Sequence, residues 1–514
     1  MAHEKSPVPD LNGWGSILAD LECRQEIAVS MGGEEKLARR SQKGLLNARE
    51  RINGLLDRGS FVELGSLVGG LTEPGGKPTP ADGTVAGIGR IEGRPVLVAV
   101  EDFSVLGGSI GTGAASKRYR LCQLAKQERI PLIMMIEGAG HRMTNGLKPH
   151  RPGPNDLQGL AELSGIVPTV CLVMGPAAGH SALTAPLMNF VVMLESGSLF
   201  SAGPPLVEAA IGQKIDKYTL GGTQVHVHQS GVAHNAAVDE EEAFSLTRRY
   251  LGYFPLNAWS QPPKKTATDT GERSLEGILE LIPPDPRFPY AMDKVLELLV
   301  DSGSLFEVQP HYGRSMITAL AFLGGRSVAI VANNPAVNSG TIDSAAAHKT
   351  AHFIEVAGAF HLPVIFLADN PGVMAGAQAE KDGILRAAAR MFAAQHRVRG
   401  PKVSVTLRKA FGFGSSVMAM NPFDSQTINL AFPGVMMAAM PAKSGGGAAK
   451  LGEDTQAQVD ASQTGGPYMP ASTMTFDDVI DPRQLRNAIL RAFIMTEGRE
   501  DQVREPVRHY GILP

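Results

Sequence analysis

The sequence repeats itself at a fixed interval, and this constrains the fold more than any other feature. The segment GRPVLVAVEDFSVLGGS begins at Gly93, and GRSVAIVANNPAVNSGT begins at Gly325, 232 residues later. The same interval of 232 residues separates Pro131 from Pro363. Similarity that keeps its register over so many residues rarely arises by chance. We therefore predict an internal duplication in which each half is a domain of the same fold.

The length and composition of the chain agree with two domains. At 514 residues the chain is longer than one hydrophobic core usually serves. Proline and polar residues cluster in SQPPKKTATDTGER and PPDPRFP, as is typical of a linker. We predict an N-terminal domain over 1–256, a linker over 257–287 and a C-terminal domain over 288–514.

Strand and helix patterns alternate in both halves. The first half predicts a helix at 114–127, a strand at 132–136, a helix at 156–163 and strands at 169–174 and 190–194. The second half predicts a strand at 328–331, a helix at 345–360, a strand at 364–368, a helix at 382–396 and a strand at 403–407. This alternation predicts βα units and a largely parallel sheet, which is an α/β fold. The stretch SGGGAAKLGEDTQAQ from Ser444 predicts a flexible or irregular insertion.

Two of the predicted strands end in the same kind of small-residue turn. VCLVMGPAAGHSALTAP covers 170–186, and KVSVTLRKAFGFGSSVM covers 402–418. In each, a β-branched run meets glycines, and small residues that could open a helix follow. Such a junction points backbone N–H groups outward, where they can hold a developing negative charge. Two such turns predict two oxyanion holes.

Signals for several other functions are missing. The sequence has no G-x-S-x-G elbow, no Walker glycine–lysine loop and no zinc-type cluster, so we predict no metal site. A net charge of -3 gives no reason to expect nucleic acid as a partner. The three cysteines suit a reducing compartment. Without a targeting pattern or an apolar run of membrane-spanning length, we expect a cytoplasmic enzyme that does not bind membranes.

Several longer motifs resemble those of a known family and are distributed over nearly the whole chain. They are ARERINGLLDRGSFVELG from Ala48, EDFSVLGGSIG from Glu101, LGGTQVHVHQSGVAH from Leu220, VANNPAVNSG from Val331, ADNPGVMAG from Ala368 and DDVIDPRQLR from Asp477. In these motifs the chain resembles the carboxyltransferase (β) subunit of biotin-dependent acyl-CoA carboxylases, of the propionyl-CoA carboxylase kind. The resemblance implies two crotonase-like ββα-spiral domains, the N-terminal one for acyl-CoA and the C-terminal one for biotin.

The resemblance also implies a reaction that needs no side-chain base. Carboxybiotin on a partner protein releases CO2, the biotin anion removes the α-proton of an acyl-CoA, and the thioester enolate attacks CO2. Both charges develop on oxygens, so fixed N–H donors suit the task. On the matching positions, the acyl-CoA hole would use the N–H groups of Gly179 and His180. The biotin hole would use those of Phe413 and Gly414.

The chain departs from the family pattern at both turns. Gly179–His180 stands where the family has a Gly-Gly pair, and Gly412–Gly414 reads Gly-Phe-Gly in place of Gly-Gly-Ala. Ser416 replaces an aspartate of the family's acyl pocket. Any non-proline residue keeps the N–H donor, but a side chain adds bulk beside the ligand. We infer a changed acyl group, or a subfamily that has drifted from carboxylation. The predicted substrate-binding residues are Gly140, His141, Ala178, Gly412 and Ser416.

Some polar residues near the turns are open to two interpretations. Glu137, His141 and His180 could act as new acid–base groups or bind a polar acyl substituent. Equally, they could fill space left by altered neighbours. For Lys117 and Lys349, which are equivalent in the repeat, we expect a solvated surface role.

The resemblance implies partner subunits. No Met-Lys-Met-like biotinylation site and no glycine-rich ATP-binding region occurs, so a separate biotin carboxylase and biotin carboxyl carrier are expected. Active sites in the family join two subunits, which implies a homo-oligomer, usually a hexamer built as a trimer of dimers. Three functions stay open: a carboxyltransferase, a decarboxylase or other enolate-forming acyl-CoA enzyme, and a non-catalytic paralogue.

Overall fold

The computed structural model describes residues 13–69, 77–147, 155–266, 269–500 and 505–506. The chain divides into two compact units, the first comprising Met1–Leu163, Thr169–Thr223 and Ala237–Ser245. The second comprises Ser164–Pro168, Gln224–Ala236 and Leu246–Pro514. The two units do not meet at a single position in the chain, since the second unit includes short segments of the first half. The domain boundaries at 256 and 288 therefore stay a prediction.

The strands of the first half form one large sheet and one strand pair. They are β1 (Val62–Glu63), β2 (Thr84–Ile91), β3 (Arg94–Glu101), β4 (Leu132–Ile136), β5 (Thr169–Val173), β6 (Pro176–Ala178), β7 (Phe190–Leu194), β8 (Ser198–Phe200) and β9 (Asn235–Ala237). The large sheet has the order β1-β2-β3-β4-β5-β7-β9, and β6 pairs with β8. Strands β2 and β3 are antiparallel, whereas β3, β4, β5 and β7 run parallel.

The strands of the second half form a sheet with the same plan. They are β10 (Phe306–Val308), β11 (Met316–Leu323), β12 (Arg326–Asn333), β13 (Val364–Asn370), β14 (Lys402–Phe411), β15 (Ile428–Ala431), β16 (Met436–Ala438) and β17 (Asp478–Val479). The order is β10-β11-β12-β13-β14-β15-β17, and β16 pairs with β14. Here too an antiparallel hairpin, β11-β12, precedes parallel strands.

Helices alternate with these strands. The α-helices are α1 (Trp14–Val29), α2 (Glu34–Ser41), α3 (Ala48–Leu55), α4 (Thr112–Glu128), α5 (Asp156–Glu162), α6 (Pro204–Ile211), α7 (Lys217–Gly221), α8 (Thr223–His226), α9 (Glu240–Leu251), α10 (Ile278–Leu281), α11 (Met292–Leu299), α12 (Ser344–Ala359), α13 (Ala377–Lys381), α14 (Ile384–His396), α15 (Phe413–Val417), α16 (Ala442–Ala449), α17 (Glu453–Thr464), α18 (Tyr468–Ser472), α19 (Leu485–Ile494) and α20 (Glu497–Glu500). Short 3-10 helices lie at Pro80–Gly83, Leu106–Gly108, Met143–Leu147, Ala182–Leu187, Asn338–Gly340 and Pro482–Gln484. Among the described ranges, no helix is both long and apolar enough to cross a membrane.

The alternation of strand and helix confirms the predicted α/β fold. Equivalent backbone pairings recur in the two halves: Ile110 bridges His141 in parallel, and Ile342 bridges Val373 in the same way. Both residues of the second bridge follow those of the first by 232 positions. This recurrence is consistent with the predicted duplication.

The parallel strands place the candidate site at their carboxyl ends. Every residue of β4, β5 and β7 is buried, as expected for strands covered on both faces. In open α/β sheets, ligands bind outside the carboxyl ends of such strands. The segments that follow β4 and β5 therefore contain the residues of interest.

Both repeat-related lysines are buried, so the surface role expected for them is wrong. Lys117 Nζ donates to the carbonyl oxygens of Ala81 and Thr84, at 3.1 and 2.7 Å. Lys349 Nζ donates to three carbonyl oxygens, the nearest at 2.8 Å. Burial lowers the pKa of each ammonium to about 8. Lysine side chains are usually exposed to solvent. These two are buried because the segment that leads into each long hairpin supplies carbonyl oxygens that accept from the ammonium group.

The glycine-rich stretch from Ser444 is helical, so the predicted irregular insertion is wrong. It forms α16 and the start of α17. A Cβ atom on Gly446 would overlap Oε1 of Gln456, which lies in α17. Glycine is therefore used here for the close approach of two helices rather than for flexibility.

Candidate active site

The first turn follows β5 and β6 and contains Gly179 and His180. Gly179 has a φ of 54°, a conformation that favours glycine. Its N–H donates to the carbonyl oxygen of Phe200 at 2.9 Å. By contrast, the N–H of His180 has no acceptor within the described part of the chain. The prediction had named both N–H groups as donors to a ligand, and only that of His180 is unoccupied.

The loop after β4 approaches this turn. Ala178 N–H donates to the carbonyl oxygen of Gly138 at 3.0 Å. Gly140 has a φ of 81°, and a Cβ atom added there would lie 2.6 Å from the Ala178 oxygen and 3.5 Å from the His180 nitrogen. The centroids of the His141 and His180 rings lie 6.1 Å apart. The structure thus brings together Gly140, His141, Ala178 and His180, all named by the sequence analysis.

The imidazole of His180 is tied to a buried carboxylate. His180 Nε2 lies 2.6 Å from Oδ1 of Asp156, and the side chain of Asp156 is 1% exposed. Arg118 Nε donates to the other oxygen of Asp156, also at 2.6 Å. Burial raises the pKa of the Asp156 carboxyl. The hydrogen bond from His180 and the charge of Arg118 together have the larger effect and lower this pKa to about 2. Asp156 is therefore a carboxylate at neutral pH.

A second buried carboxylate extends this network below the turn. Glu101 accepts from Arg118 at 3.1 Å and from the Ser181 hydroxyl at 2.7 Å. Burial raises the pKa of the Glu101 carboxyl, although Arg118 and Ser181 oppose that effect. The network therefore binds the His180 ring through Asp156 and the Ser181 hydroxyl through Glu101, and it restrains two consecutive residues of the turn.

The second turn follows β14 and opens α15. Gly412 has a φ of 56°, and its N–H donates to the Ala438 carbonyl at 2.9 Å. In the described chain, no acceptor receives the N–H groups of Phe413 and Gly414. The Phe413 side chain is 46% exposed, and its ring centroid lies 5.5 Å from that of Phe392. This turn therefore presents two free donors beside an exposed ring.

Neighbours restrict the second turn closely. A Cβ atom on Gly414 would overlap Oδ1 of Asn370 and lie 2.8 Å from Cα of Gly372. Ser416 Oγ donates to Oδ1 of Asn421 at 3.0 Å, so this predicted substrate-binding hydroxyl already has a partner. The substrate contacts predicted for Gly412 and Ser416 stay a prediction.

Comparison with known proteins identifies the family. Residues 39–509 match the carboxyl transferase domain. The chain belongs to this family.

Relatives of this carboxyl transferase are similar over almost their full length. It is 32% identical to the propionyl-CoA carboxylase carboxyltransferase subunit of Haloferax mediterranei, with 96% of this chain and 98% of the relative covered. It is also 32% identical to the methylmalonyl-CoA decarboxylase subunit alpha of Veillonella parvula, with 94% and 96% covered. A transcarboxylase 12S structure with methylmalonyl-coenzyme A and methylmalonic acid bound superposes with a TM-score of 0.88 at 30% identity, covering 96% and 98% of the two chains. These findings confirm the predicted family and the crotonase-like fold, and they show that the chain is an enzyme subunit.

Glu137 anchors the fold of this carboxyl transferase and is not available for acid–base chemistry. Its carboxylate accepts from Arg40 at 2.5 Å and from Arg51 at 2.5 Å. Arg51 also binds Glu240 at 2.8 Å. Both arginines and Glu137 are buried, so the charges of this cluster are compensated internally.

Sequence reasoning missed Arg118 and Asp156, the two residues that orient His180. They lie 62 and 24 positions before it, in α4 and α5, and belong to none of the motifs that carry the family resemblance. The local signal in α4 was a pair of charged residues, Lys117 and Arg118, on a helical face that is otherwise formed by small and apolar side chains. That pattern does not identify a partner, because the partner is chosen by how the helices pack on the sheet.

We expect Asp156 to make the stability of the protein depend on pH in acid. Its folded pKa of about 2 lies below the ordinary value of 3.8, so its contribution is complete above pH 4 and is lost as the pH falls towards 2. The loss should be on the order of 2 kcal/mol in the free energy of unfolding, and Asp156→Asn should abolish it. Chemical denaturation at several pH values measures this. Asp285→Asn is the matched control: an arginine, Arg287, also lowers the pKa of Asp285, but the Arg287 side chain is 85% exposed, and screening by solvent should make the pH effect of this pair much smaller. Equal effects of the two variants would contradict the prediction.

Proposed function

We propose that the protein transfers a carboxyl group from carboxybiotin to the α-carbon of an acyl-CoA. One observation carries the proposal: two strand-end turns of a carboxyl transferase each present backbone N–H groups that have no acceptor in the described chain. These are His180 at the first turn and Phe413 and Gly414 at the second. Preorganised N–H donors stabilise oxyanions without reorganising during the reaction.

At the first turn, His180 N–H would stabilise the thioester oxygen as negative charge develops on it. The loop through Gly140 and His141 would bound the same pocket. A Cβ atom at position 140 would lie 2.6 Å from the Ala178 carbonyl oxygen and 3.5 Å from the His180 nitrogen, so glycine lets the loop approach the turn closely without placing a side chain beside the donor. His141 and the edge of His180 would give this pocket a polar side, which suits an acyl group with a polar substituent.

At the second turn, the residues present suit a ureido group. Carboxybiotin supplies the carboxyl group when it is bound. Phe413 and Gly414 would hold its ureido oxygen through their N–H groups, and the exposed Phe413 ring offers an apolar face. The absence of a side chain at Gly414 keeps the turn close to Asn370.

We further propose that the chain acts as one subunit of a larger cytoplasmic assembly. The partners would be a biotin carboxylase and a biotin carboxyl carrier, with this chain as a homo-oligomer, most simply a hexamer. Supporting this, the Haloferax relative is called a carboxyltransferase subunit, and the 12S structure is described as a hexamer assembly. Sedimentation of the purified protein should give the mass of six chains. A monomer would contradict this part of the proposal.

The transfer reaction can be tested directly. The protein is mixed with a carboxylated biotin carrier and with acetyl-, propionyl- and longer acyl-CoAs, and a malonyl-type CoA product is expected from one of them. Absence of product with all acyl-CoAs, despite a folded protein, would contradict the proposal.

A second candidate function is decarboxylation of a malonyl-type CoA. It is favoured by the similarity to the Veillonella decarboxylase subunit, which equals that to the carboxylase subunit in identity. Incubation of methylmalonyl-CoA with uncarboxylated carrier distinguishes the two physiological directions by their relative rates. A protein inactive in both directions that still binds carboxylase subunits would be a non-catalytic paralogue.

We expect Phe413→Gly to change binding at the second turn and to leave the fold intact. The ring is nearly half exposed, so its removal loses little buried area, while the N–H donor is kept. The apparent affinity for the carboxylated carrier should change severalfold, with the melting temperature nearly unchanged. Steady-state kinetics and thermal unfolding measure the two effects. Phe392→Ala is the comparison for the neighbouring ring, whose plane is tilted by 40° from that of Phe413. If Phe413→Gly unfolds the protein, Phe413 belongs to the core instead.

A further inference from the structure

The imidazole of His180 has the arrangement of an oriented acid–base group. Nε2 faces Oδ1 of Asp156 at 2.6 Å. The Asp156 carboxylate can only accept at this contact, so Nε2 carries a proton and Nδ1 is the atom left to gain or lose one. Nδ1 has no hydrogen-bond partner among the described residues, and the side chain is 22% exposed. A buried carboxylate on one ring nitrogen and a free opposite nitrogen are the features that a histidine base requires.

The surroundings fix this orientation. Both oxygens of Asp156 are occupied, one by His180 and one by Arg118. Arg118 is held in turn by Glu101 and by the Thr184 hydroxyl, at 3.1 and 2.6 Å. A histidine that merely fills space does not need three buried charged side chains behind it, since each is costly to bury. Burial of these three charged groups is explained if the His180 ring must keep one tautomer and one orientation.

We infer that His180 is a catalytic acid–base residue that exchanges a proton with the α-carbon of an acyl-CoA, so that this protein forms the enolate without biotin. The inference rests on the proposed acyl-CoA site. In the step, the α-C–H bond breaks and its proton goes to Nδ1, its electron pair forms the C=C bond of the enolate, and the π pair of the thioester C=O moves to the oxygen. The imidazolium so formed is stabilised by Asp156, and the enolate oxygen by the His180 N–H. Reversal returns a proton to carbon, and in D2O it returns a deuteron.

The experiment is the incorporation of deuterium into acetyl-CoA and propionyl-CoA in D2O, with no biotin present, followed by mass spectrometry. The wild-type protein should exchange the α-protons, and His180→Gln should lose at least about 100-fold in rate, as expected for removal of a general base. Glutamine can still donate to Asp156, which favours folding. His396→Gln is the matched control, because His396 Nδ1 lies 2.6 Å from Oδ1 of Asp424 in the other unit. No exchange by the wild type, or undiminished exchange by His180→Gln, overturns the inference.

Two further variants separate a catalytic from a structural role. In His180→Gly, added imidazole should restore exchange in proportion to its concentration; a folded variant without rescue counts against the inference. Asp156→Asn should slow exchange, because the imidazolium formed in the step loses the carboxylate that stabilises it. Among the described residues, the titratable and charged groups that face the His180 ring or its carboxylate partner are Asp156, His141, Arg118 and Glu101.

The outcomes distinguish this inference from the proposed function. If carboxyl transfer from the carrier proceeds while biotin-free exchange is absent, the proposed carboxyl transfer is supported and the acid–base role of His180 is wrong. If exchange depends on His180 while no transfer occurs, the role of His180 stands and the protein is an enolising acyl-CoA enzyme of another kind.

Discussion

Replacing Arg118 with leucine should cost about 3–5 kcal/mol in the free energy of unfolding, the largest stability effect that we expect from a single substitution. Arg118 is 1% exposed and binds Asp156, Glu101 and Thr184. Leucine would fill much of the volume but would leave Asp156 and Glu101 as buried carboxylates without their shared cation. The Glu101 carboxyl would then take up a proton more readily, which limits the loss without removing it.

Chemical denaturation followed by fluorescence and circular dichroism measures this effect. Arg39→Leu is the matched control, because Arg39 also pairs with a carboxylate, Glu35, but both side chains are at least 70% exposed. The control should change stability by no more than about 0.5 kcal/mol, as is usual for exposed ion pairs. Similar losses for Arg118→Leu and Arg39→Leu would mean that water or protonation compensates the buried charges.

Introducing a methyl group at Gly140 should give the largest loss of carboxyl transfer that we expect from a single substitution. A residue with a side chain at a φ of 81° is strained by about 1–2 kcal/mol, and the new Cβ would lie 2.6 Å from the carbonyl oxygen of Ala178. The loop after β4 and the turn containing His180 would have to separate. Because a displacement of about 1 Å in a catalytic group can cost about 100-fold in rate, Gly140→Ala should reduce carboxyl transfer by that factor or more.

Kinetics of carboxyl transfer and thermal unfolding should be measured together for this variant. Gly93→Ala is the control: its φ of 77° gives similar strain, but nothing lies within 4 Å of the added methyl group. Gly93→Ala should lose some stability and keep the transfer rate. If folded Gly140→Ala transfers carboxyl groups at nearly the wild-type rate, the loop after β4 does not position the reaction.

Much of the architecture was predictable because it depends on local patterns. The helix expected at 114–127 is α4, Thr112–Glu128, and the strand expected at 132–136 is β4, Leu132–Ile136. A continuous apolar run between glycine or proline residues indicates a buried parallel strand regardless of what lies beside it. The two turns were recognisable for the same reason, since a strand running into glycines is a feature of a few adjacent residues.

Gly140, Ala178 and His180 were named from the family resemblance, and the structure brings them together, while their role in binding stays a prediction. Other features depended on atoms that are distant in sequence. Neither the commitment of the Gly179 N–H to Phe200 nor the burial of Lys117 could be read from neighbouring residues.

From its sequence alone, this chain could be assigned two related α/β halves, two donor-bearing turns and a carboxyl transferase family. Periodicity, glycine placement and motif similarity are properties of contiguous residues, so no coordinates were needed for them. Only the tertiary structure decided that His180 is bound to Asp156, with Arg118 behind it. The reason is physical: which acceptor a polar side chain meets is set by the packing of α4 and α5 against the sheet, and that packing brings together residues with no relation in sequence.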